Sequence, residues 1–181
     1  MAKYALVIDG LIDNVGYEPF EGYVEVPDEA FGGDAFYGDP PVFIPKPTQF
    51  HYWTGTTFVL NQAAFTAYLV SQIGFYRDAK TQVNVSYDNG TDEFTVLNDD
   101  RTRQALLQKA NRLQLEPDET INFQTVNGYF DLSIMDIQGL FRACDMRQQD
   151  CFDASKYVFD THAVTPYETI QDAKDDFDSQ L

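Results

Sequence analysis

The sequence contains two copies of one pattern, in which an alternating apolar strand runs into Asn-Gly, continues as a second strand and then enters an amphipathic helix. The first copy spans residues 83–110 and the second spans residues 120–144. Asn-Gly between two alternating strands is the strongest short-range signal for a β-hairpin, because both residues accept the positive φ angles of a type I′ turn. The pattern therefore predicts two hairpin-helix modules of similar design in the middle of the chain.

Capping signals place the helix of each module. Asn98 is expected to cap the first helix, and Pro117 prevents that helix from continuing much further. Ser133 and Asp136 are spaced as in a capping box, which predicts that the second helix starts there. Apolar residues then repeat at three- and four-residue steps, so one long helix is expected over residues 134–159.

The flanking segments complete the expected fold. Residues 31–48 are rich in proline and glycine, so they are expected to form an extended or meandering loop that carries no strand pairing. Thr165 and Pro166 predict the start of a last helix, with Thr as the cap and Pro at its first position. We therefore expect an α+β fold, in which two β-hairpins pack against two or three helices after a small β unit. The expected divisions are an N-terminal β unit (1–60), a connecting helix (61–80), a hairpin-helix domain (81–160) and an acidic C-terminal helix (161–181).

Charge and hydropathy narrow the range of functions. The chain has 181 residues, of which 12 are basic and 29 are acidic, and its formal net charge is −17. Nucleic-acid-binding proteins cluster Lys and Arg on one face, whereas the basic residues here are scattered among the acidic ones. We therefore expect no nucleic-acid partner. No apolar run is long enough to cross a bilayer, and the first residues lack the basic and apolar regions of a signal peptide. We therefore expect neither secretion by a signal peptide nor membrane insertion.

The sequence offers no pattern that predicts catalysis, a cofactor or a metal site. His51 and His162 lie in separate segments, and no Ser or Cys stands in a known nucleophile motif. The acidic run at residues 88–93 has Gly in its third position, whereas an EF-hand loop needs Gly in its sixth. Cys144 and Cys151 are expected about 10 Å apart along one helix, too far for a disulfide, and read as buried apolar residues. A non-enzyme is expected, although paired carboxylates for glycoside hydrolysis stay an open alternative.

Aromatic residues crowd the segment between residues 17 and 53. Such side chains form either the core of a small β unit or an exposed surface for protein or carbohydrate contacts, and both interpretations stay open. The apolar stripe of the last helix must likewise lie on the body of the protein or against a partner, because a short isolated helix is marginal in water. The candidate interface residues are Tyr17, Phe20, Phe36, Tyr37, Tyr52, Trp53, Ile170 and Phe177.

Residues 75–177 resemble a domain of unknown function found in bacteriophage tail and tail-fibre gene neighbourhoods. Three stretches carry the resemblance: residues 98–102 at a helix start, residues 123–132 in the second hairpin, and Cys151-Phe152 late in the long helix. The first sixty residues resemble the leading β segments of tail-fibre and tail-fibre-assembly proteins, through the WTGTTF hairpin at residues 53–58. The family brings no catalytic residues with it.

The resemblance implies a non-enzymatic structural protein of a phage tail, located in the virion at the tail fibre or baseplate. Its expected partners are other tail or fibre proteins and further copies of itself, because phage tails have cyclic symmetry. One alternative is a tail-fibre assembly chaperone that is absent from the finished virion. Another is a receptor-recognition module whose aromatic residues bind glycan on the host surface. In each case the chain would be made in the host cytoplasm.

Overall fold

The computed structural model describes residues 2–18 and 20–181, and it has the α+β fold that the sequence predicts. The chain divides into two compact units, Met1–Tyr68 and Leu69–Leu181, and the boundary falls inside the first helix. The elements of the first part are β1 (Lys3–Ile8), β2 (Leu11–Gly16), β3 (Tyr23–Val26), β4 (Ala35–Tyr37), β5 (Val42–Ile44), β6 (His51–Trp53), β7 (Phe58–Leu60) and α1 (Gln62–Thr81). Those that follow are β8 (Asn84–Asp88), β9 (Glu93–Leu97), α2 (Asp100–Leu115), β10 (Ile121–Thr125), β11 (Gly128–Leu132), α3 (Ile134–Val164) and α4 (Ile170–Asp178).

The first unit contains a five-stranded antiparallel sheet in the order β3-β1-β2-β4-β5, and a separate hairpin of β6 and β7. The turn between β1 and β2 is Asp9-Gly10, with φ angles of 51° and 80°. Positive φ at both central residues is the signature of a type I′ turn, whose twist matches that of the strands on either side. This turn therefore fixes the register in which Ile8 pairs with Leu11.

The segment 31–48 is not free of strand pairing, so that prediction is wrong. It contains β4 and β5, in which Ala35 pairs with Ile44 and Tyr37 pairs with Val42. Proline is rare inside strands because it cannot donate a ladder hydrogen bond. Here Pro40-Pro41 lies between the two short strands and Pro45 follows the second one, so each strand fits in the gap between prolines.

Two buried charged side chains attach the loops of the first unit. Lys3 Nζ donates to the backbone oxygens of Asp28 at 2.9 Å and Ala30 at 2.5 Å. Asp34 accepts from the backbone N–H groups of Phe31 at 2.8 Å and Lys46 at 2.7 Å. A buried charge is costly unless it is hydrogen-bonded, and both of these are. The loops are therefore ordered by charge-assisted bonds to their backbone, where apolar burial is limited.

The two hairpins of the second unit form separate two-stranded sheets, and their turns differ from the predicted type I′ Asn-Gly turns. In the first, Asp88 pairs with Glu93, so residues 89–92 form the loop. In the second, Gly128 already pairs with Thr125, so the loop is residues 126–127. Neither Asn has positive φ, since Asp9 is the only non-glycine residue with that conformation in the described part of the chain.

Each Asn instead makes hydrogen bonds to a distant part of the second unit. Asn89 Nδ2 donates to Asp136 Oδ1 at 2.9 Å. Asn127 Nδ2 donates to the backbone oxygen of Glu93 at 2.7 Å, and its Oδ1 accepts from the backbone N–H of Thr95 at 3.2 Å. The first turn is thereby attached to the start of α3, and the second turn to the edge of β9.

The capping box at the start of α3 is confirmed. Ser133 accepts from the backbone N–H of Asp136, whose carboxylate accepts from the backbone N–H of Ser133. Burial pushes the pKa of Asp136 upwards, but hydrogen bonds from Ser133 and Asn89 outweigh it, so the pKa lies below its ordinary value. Asp136 therefore stays charged and serves both the helix cap and the link to Asn89.

Two of the predicted helix starts are displaced. The cap of α2 is Asp99, which accepts from the backbone N–H of Thr102 at 2.7 Å. The predicted cap, Asn98, is instead fully buried and donates to the backbone oxygen of Cys144 at 3.1 Å. The last helix starts after Thr169 and not at Thr165, because α3 continues to Val164 and Thr165 becomes its C-terminal cap.

The main core of the second unit is formed by the inner faces of both hairpins, α2 and the first half of α3. Both cysteines are completely buried with free thiols, as predicted. Burial raises the pKa of Cys144 to about 11. The buried apolar residues of this core are Phe94, Val96, Leu106, Ala110, Leu113, Ile121, Phe123, Leu132, Ile137, Leu140 and Cys144.

The helix α4 lies on the body of the second unit. Phe177 is completely buried, with its ring edge-on to the ring of Tyr76 at 5.4 Å between centroids. Asp178 accepts from the Tyr76 hydroxyl at 2.8 Å and pairs with Lys80 Nζ at 2.8 Å. Phe177 is thus buried within the second unit and is not an exposed interface residue. Ile170 is half-buried at the start of the same helix.

Asn89→Ala is expected to lower the free energy of unfolding by about 1–3 kcal/mol, because it leaves the charged Asp136 with one donor fewer. Urea denaturation followed by circular dichroism measures the change. Asn84→Ala is the matched control, since the Asn84 side chain is exposed on β8 and hydrogen-bonds to no residue in ranges 2–18 and 20–181. The control should stay within about 0.5 kcal/mol of the wild type. Equal losses in the two variants would contradict the tertiary role of Asn89.

Asp178→Asn is expected to destabilise the protein at neutral pH and to have a smaller effect in acid. Burial raises the pKa of Asp178, but hydrogen bonds from Lys80 and Tyr76 lower it further than burial raises it. A depressed pKa contributes stability that is complete above the unfolded value of about 3.9 and is lost as the pH falls through the folded value. Thermal unfolding of both proteins between about pH 7 and about pH 3 should therefore show a narrowing difference.

Asp150→Asn serves as the control for this pH series. Asp150 is exposed on α3, and its carboxylate has no hydrogen bond or ion pair within the described ranges. Its unfolding temperature should follow that of the wild type at every pH. A difference between Asp178→Asn and the wild type that does not change with pH would contradict the role of the Asp178 charge.

Candidate interaction surface

Four of the candidate interface residues lie exposed on the first unit. The exposed fractions are 61% for Tyr17, 59% for Phe20, 44% for Tyr37 and 53% for Tyr52. Phe31 is also exposed, at 66%, although it was not among the candidates. Large aromatic side chains supply much of the energy of protein interfaces, so this distribution is typical of a binding surface.

Strand register explains why Tyr37 and Tyr52 point outwards. Tyr37 on β4 pairs with Val42 on β5, and Tyr52 on β6 pairs with Val59 on β7. Both valines are exposed as well, at 59% and 38%. Aromatic and β-branched residues that face each other across a strand pair form a joint apolar surface. Tyr37 and Tyr52 thus each form an exposed apolar pair with a valine on the adjacent strand of a hairpin.

Phe36 and Trp53 contribute to packing more than to the surface. Phe36 is half-buried against the small core of the first unit. The Trp53 ring contacts Tyr37 at 5.7 Å and Phe58 at 5.1 Å between centroids. A Cβ at Gly10 would lie 3.3 Å from Trp53 Nε1, so the indole covers the type I′ turn closely. The sequence alone did not separate these two residues from their exposed neighbours.

The second unit has an apolar groove of about 400 Å³ along α3. The ring of Tyr87 forms one side, and the exposed side chains of Met135 and Met146 lie along the helix. Gly139 is required here, because a Cβ at this position would lie 2.3 Å from the Tyr87 ring. The sequence interpretation missed this groove, although a glycine inside a long helix between two methionines was a visible signal.

Polar clusters of the second unit are internally paired. A polar pocket of about 210 Å³ contains Arg103, which donates to Gln148 and to Asp100. Thr81 at the same pocket donates its hydroxyl to the backbone oxygen of Arg77 at 2.9 Å. Catalytic groups need a free proton donor, acceptor or nucleophile in reach of a substrate. These bonds are instead those of a structural network.

The histidines have separate structural surroundings. His51 Nδ1 lies 2.8 Å from the Thr48 hydroxyl in the first unit. His162 in the second unit is buried, and its Nδ1 accepts from the backbone N–H of Tyr167 at 3.1 Å. In residues 2–18 and 20–181, no group of three His, Cys, Asp or Glu side chains is arranged to hold a metal ion. Within the same ranges, no helix is both long and apolar enough to span a membrane.

Comparison of the chain with protein-family models, curated proteins and solved structures gave no significant match. The phage-tail origin indicated by the residue patterns therefore stays a prediction. The exposed aromatic residues of the first unit and the groove of the second are the surface features suited to contact with a partner.

Gly139→Ala is expected to destabilise the protein by about 1–3 kcal/mol, because the added methyl group must displace the Tyr87 ring. Gly74→Ala is the matched control, since Gly74 also lies within a helix but has open space around its Cβ position. That control should stabilise by about 0.5–1 kcal/mol, as alanine restricts the unfolded chain more than glycine does. Urea denaturation measures both, and changes of the same sign would contradict the close packing at Gly139.

Proposed function

We propose that this chain is a non-enzymatic structural protein of a bacteriophage tail, associated with the tail fibre or baseplate and acting through protein-protein contacts. The observation that carries the proposal is the pair of exposed hairpin surfaces, Tyr37 with Val42 and Tyr52 with Val59. Exposed apolar pairs on rigid strands are suited to binding, because they are already ordered before the partner arrives.

The composition of the first unit supports an interaction role. Its cluster of buried apolar residues consists of Ala5, Ile12, Val26 and Ala30, two of which are alanines. Three large aromatic side chains, Tyr17, Phe20 and Phe31, are exposed at its surface. Exposed aromatic side chains are frequent anchors of protein contacts. Other tail or fibre proteins and further copies of the chain are the proposed partners.

The chemistry of the buried groups also favours a non-enzyme. Burial raises the pKa of the Cys144 thiol to about 11, so the thiol is protonated near neutral pH. Asp136 is held by the helix cap and by Asn89, and Asp178 by Lys80 and Tyr76. Groups with these bonds are occupied in maintaining the fold.

Mass spectrometry of purified virions tests the location of the protein. We expect the chain to be a constant component of particles purified by density gradient, in a fixed ratio to the major tail protein. Absence from mature particles, together with presence in lysates of infected cells, would contradict the proposal and favour the assembly chaperone.

Tyr37→Ser with Tyr52→Ser is expected to reduce incorporation into particles by about tenfold or more, because interface aromatics are frequent hot spots. Tyr129→Ser is the control, since Tyr129 is 67% exposed on a hairpin of the second unit. Incorporation is measured by quantitative mass spectrometry in a phage that carries each variant. Undiminished incorporation of the double variant would remove the observation on which the proposal rests.

Binding to purified host polysaccharide distinguishes the glycan-recognition alternative from a structural role. Tyr52 is the exposed aromatic side chain of the β6-β7 hairpin, while Trp53 is half-buried beside it. A tail structural protein should be incorporated through these hairpins and should not bind purified host polysaccharide by itself. Saturable binding of the isolated chain to that polysaccharide, lost in Tyr52→Ser, would favour the alternative.

A further inference from the structure

Arg142 is an unpaired positive charge at the edge of an apolar groove. It is exposed on α3 and lines the groove of Tyr87, Met135 and Met146. Its guanidinium forms neither a hydrogen bond nor an ion pair with any residue that the structure describes. Arg103, by contrast, pairs with Asp100. In a chain of net charge −17, a cation left without a carboxylate at such a groove is available for an external one.

The chemistry of the groove defines its occupant. The walls present an aromatic ring and two thioethers, and methionine adapts its shape to aromatic side chains with favourable sulfur–ring contacts. Arg142 adds a donor that fits a carboxylate. The complementary ligand is therefore a peptide segment in which an aromatic residue stands next to an acidic one.

The first unit exposes a segment of this kind. After β2 the chain continues with Tyr17 and Glu18, and Phe20 and Glu21 follow shortly afterwards. All four side chains are exposed, Tyr17 at 61% and Phe20 at 59%. Each aromatic residue thus has a glutamate directly after it. This is the pattern that the groove requires.

We propose that Tyr17, Glu18, Phe20 and Glu21 of one copy dock in the α3 groove of a second copy. The aromatic rings of the segment would pack on the apolar side chains of the groove, and a glutamate would pair with Arg142. The two surfaces differ, so the contact is heterologous, and each copy has one donor segment and one acceptor groove. Such contacts build rings or extended chains of subunits. The inference specifies one of the partners proposed above, a further copy of the chain, and it does not rest on a location in the phage tail.

Sedimentation velocity of the purified chain tests self-association directly. The wild type is expected to shift from monomer to larger species as the protein concentration rises from about 1 µM to about 1 mM. Dissociation constants in this range are typical of interfaces of modest size. Arg142→Glu should weaken this association by about tenfold or more, because it places two like charges in contact. Arg101→Glu is the control with the same charge change, since Arg101 is exposed on α2 with no ion pair among the described residues. A wild type that is monomeric throughout, or equal losses in both variants, would overturn the proposal.

A mixing experiment tests the heterologous geometry. Arg142→Glu retains the segment and loses the groove, whereas Tyr17→Ser with Phe20→Ser retains the groove and loses the segment. At a concentration where the wild type associates, each variant alone should associate much less. A mixture should form a 1:1 dimer that grows no further, because only one intact segment meets one intact groove. A mixture that stays monomeric while the wild type associates would overturn the proposal.

Exchanging the charges at the contact tests the assigned pair, because misfolded variants would not regain self-association. Glu18→Arg with Glu21→Arg should weaken association of an otherwise wild-type chain. The same pair combined with Arg142→Glu should restore it, because the two charges at the contact are exchanged. Circular dichroism of each variant verifies the fold. Failure of the rescue, with every variant folded, would contradict the assigned contact. The result is independent of whether the chain is found in phage particles.

Discussion

The hydrogen bond from Asn89 to Asp136 links the first hairpin of the second unit to the start of its long helix. It joins the loop of the first hairpin to the carboxylate that also closes the cap of α3, so one buried charge sets the position of both elements. With β8 held against the first turns of α3, the Tyr87 ring lies directly over Gly139. The groove, and the position of Arg142 in its wall, follow from that placement. A polar contact near a helix start thus determines an apolar surface further along the helix.

Local signals in the sequence predicted the elements well and their connections less well. The capping box at Ser133, the hairpins and the α+β class depend on neighbouring residues, and all are found. The predicted turn type was wrong at Asn89 and Asn127. The side-chain amides of these residues hydrogen-bond to distant groups, and the local sequence does not reveal such contacts. The predicted start of the last helix was wrong because Thr165 is the C-terminal cap of α3, while Thr169 caps α4 by accepting from the backbone N–H of Asp172.

The candidate surface could be predicted in composition but not in detail. Tyr37 and Phe36 are adjacent aromatic residues, and only the strand register shows that the first is exposed and the second packs on the core. Phe177 looked equally available, yet it is buried beside Tyr76 by a contact between segments far apart in the chain. The α3 groove forms where the Tyr87 ring lies against Gly139. The sequence around either residue does not predict its contact with the other. Exposure is a property of tertiary packing, which explains this limit.

The net charge of −17 sets the conditions under which copies of this chain can meet. Acidic residues are spread over both units, so two copies repel each other at long range. Salt at physiological strength screens charges separated by more than about 8 Å, while a contact pair such as Arg142 with a glutamate is screened much less. Added salt should therefore remove more repulsion than attraction. Self-association through the groove is expected to strengthen as ionic strength rises from a low value, which is opposite to the behaviour of a contact driven by long-range steering.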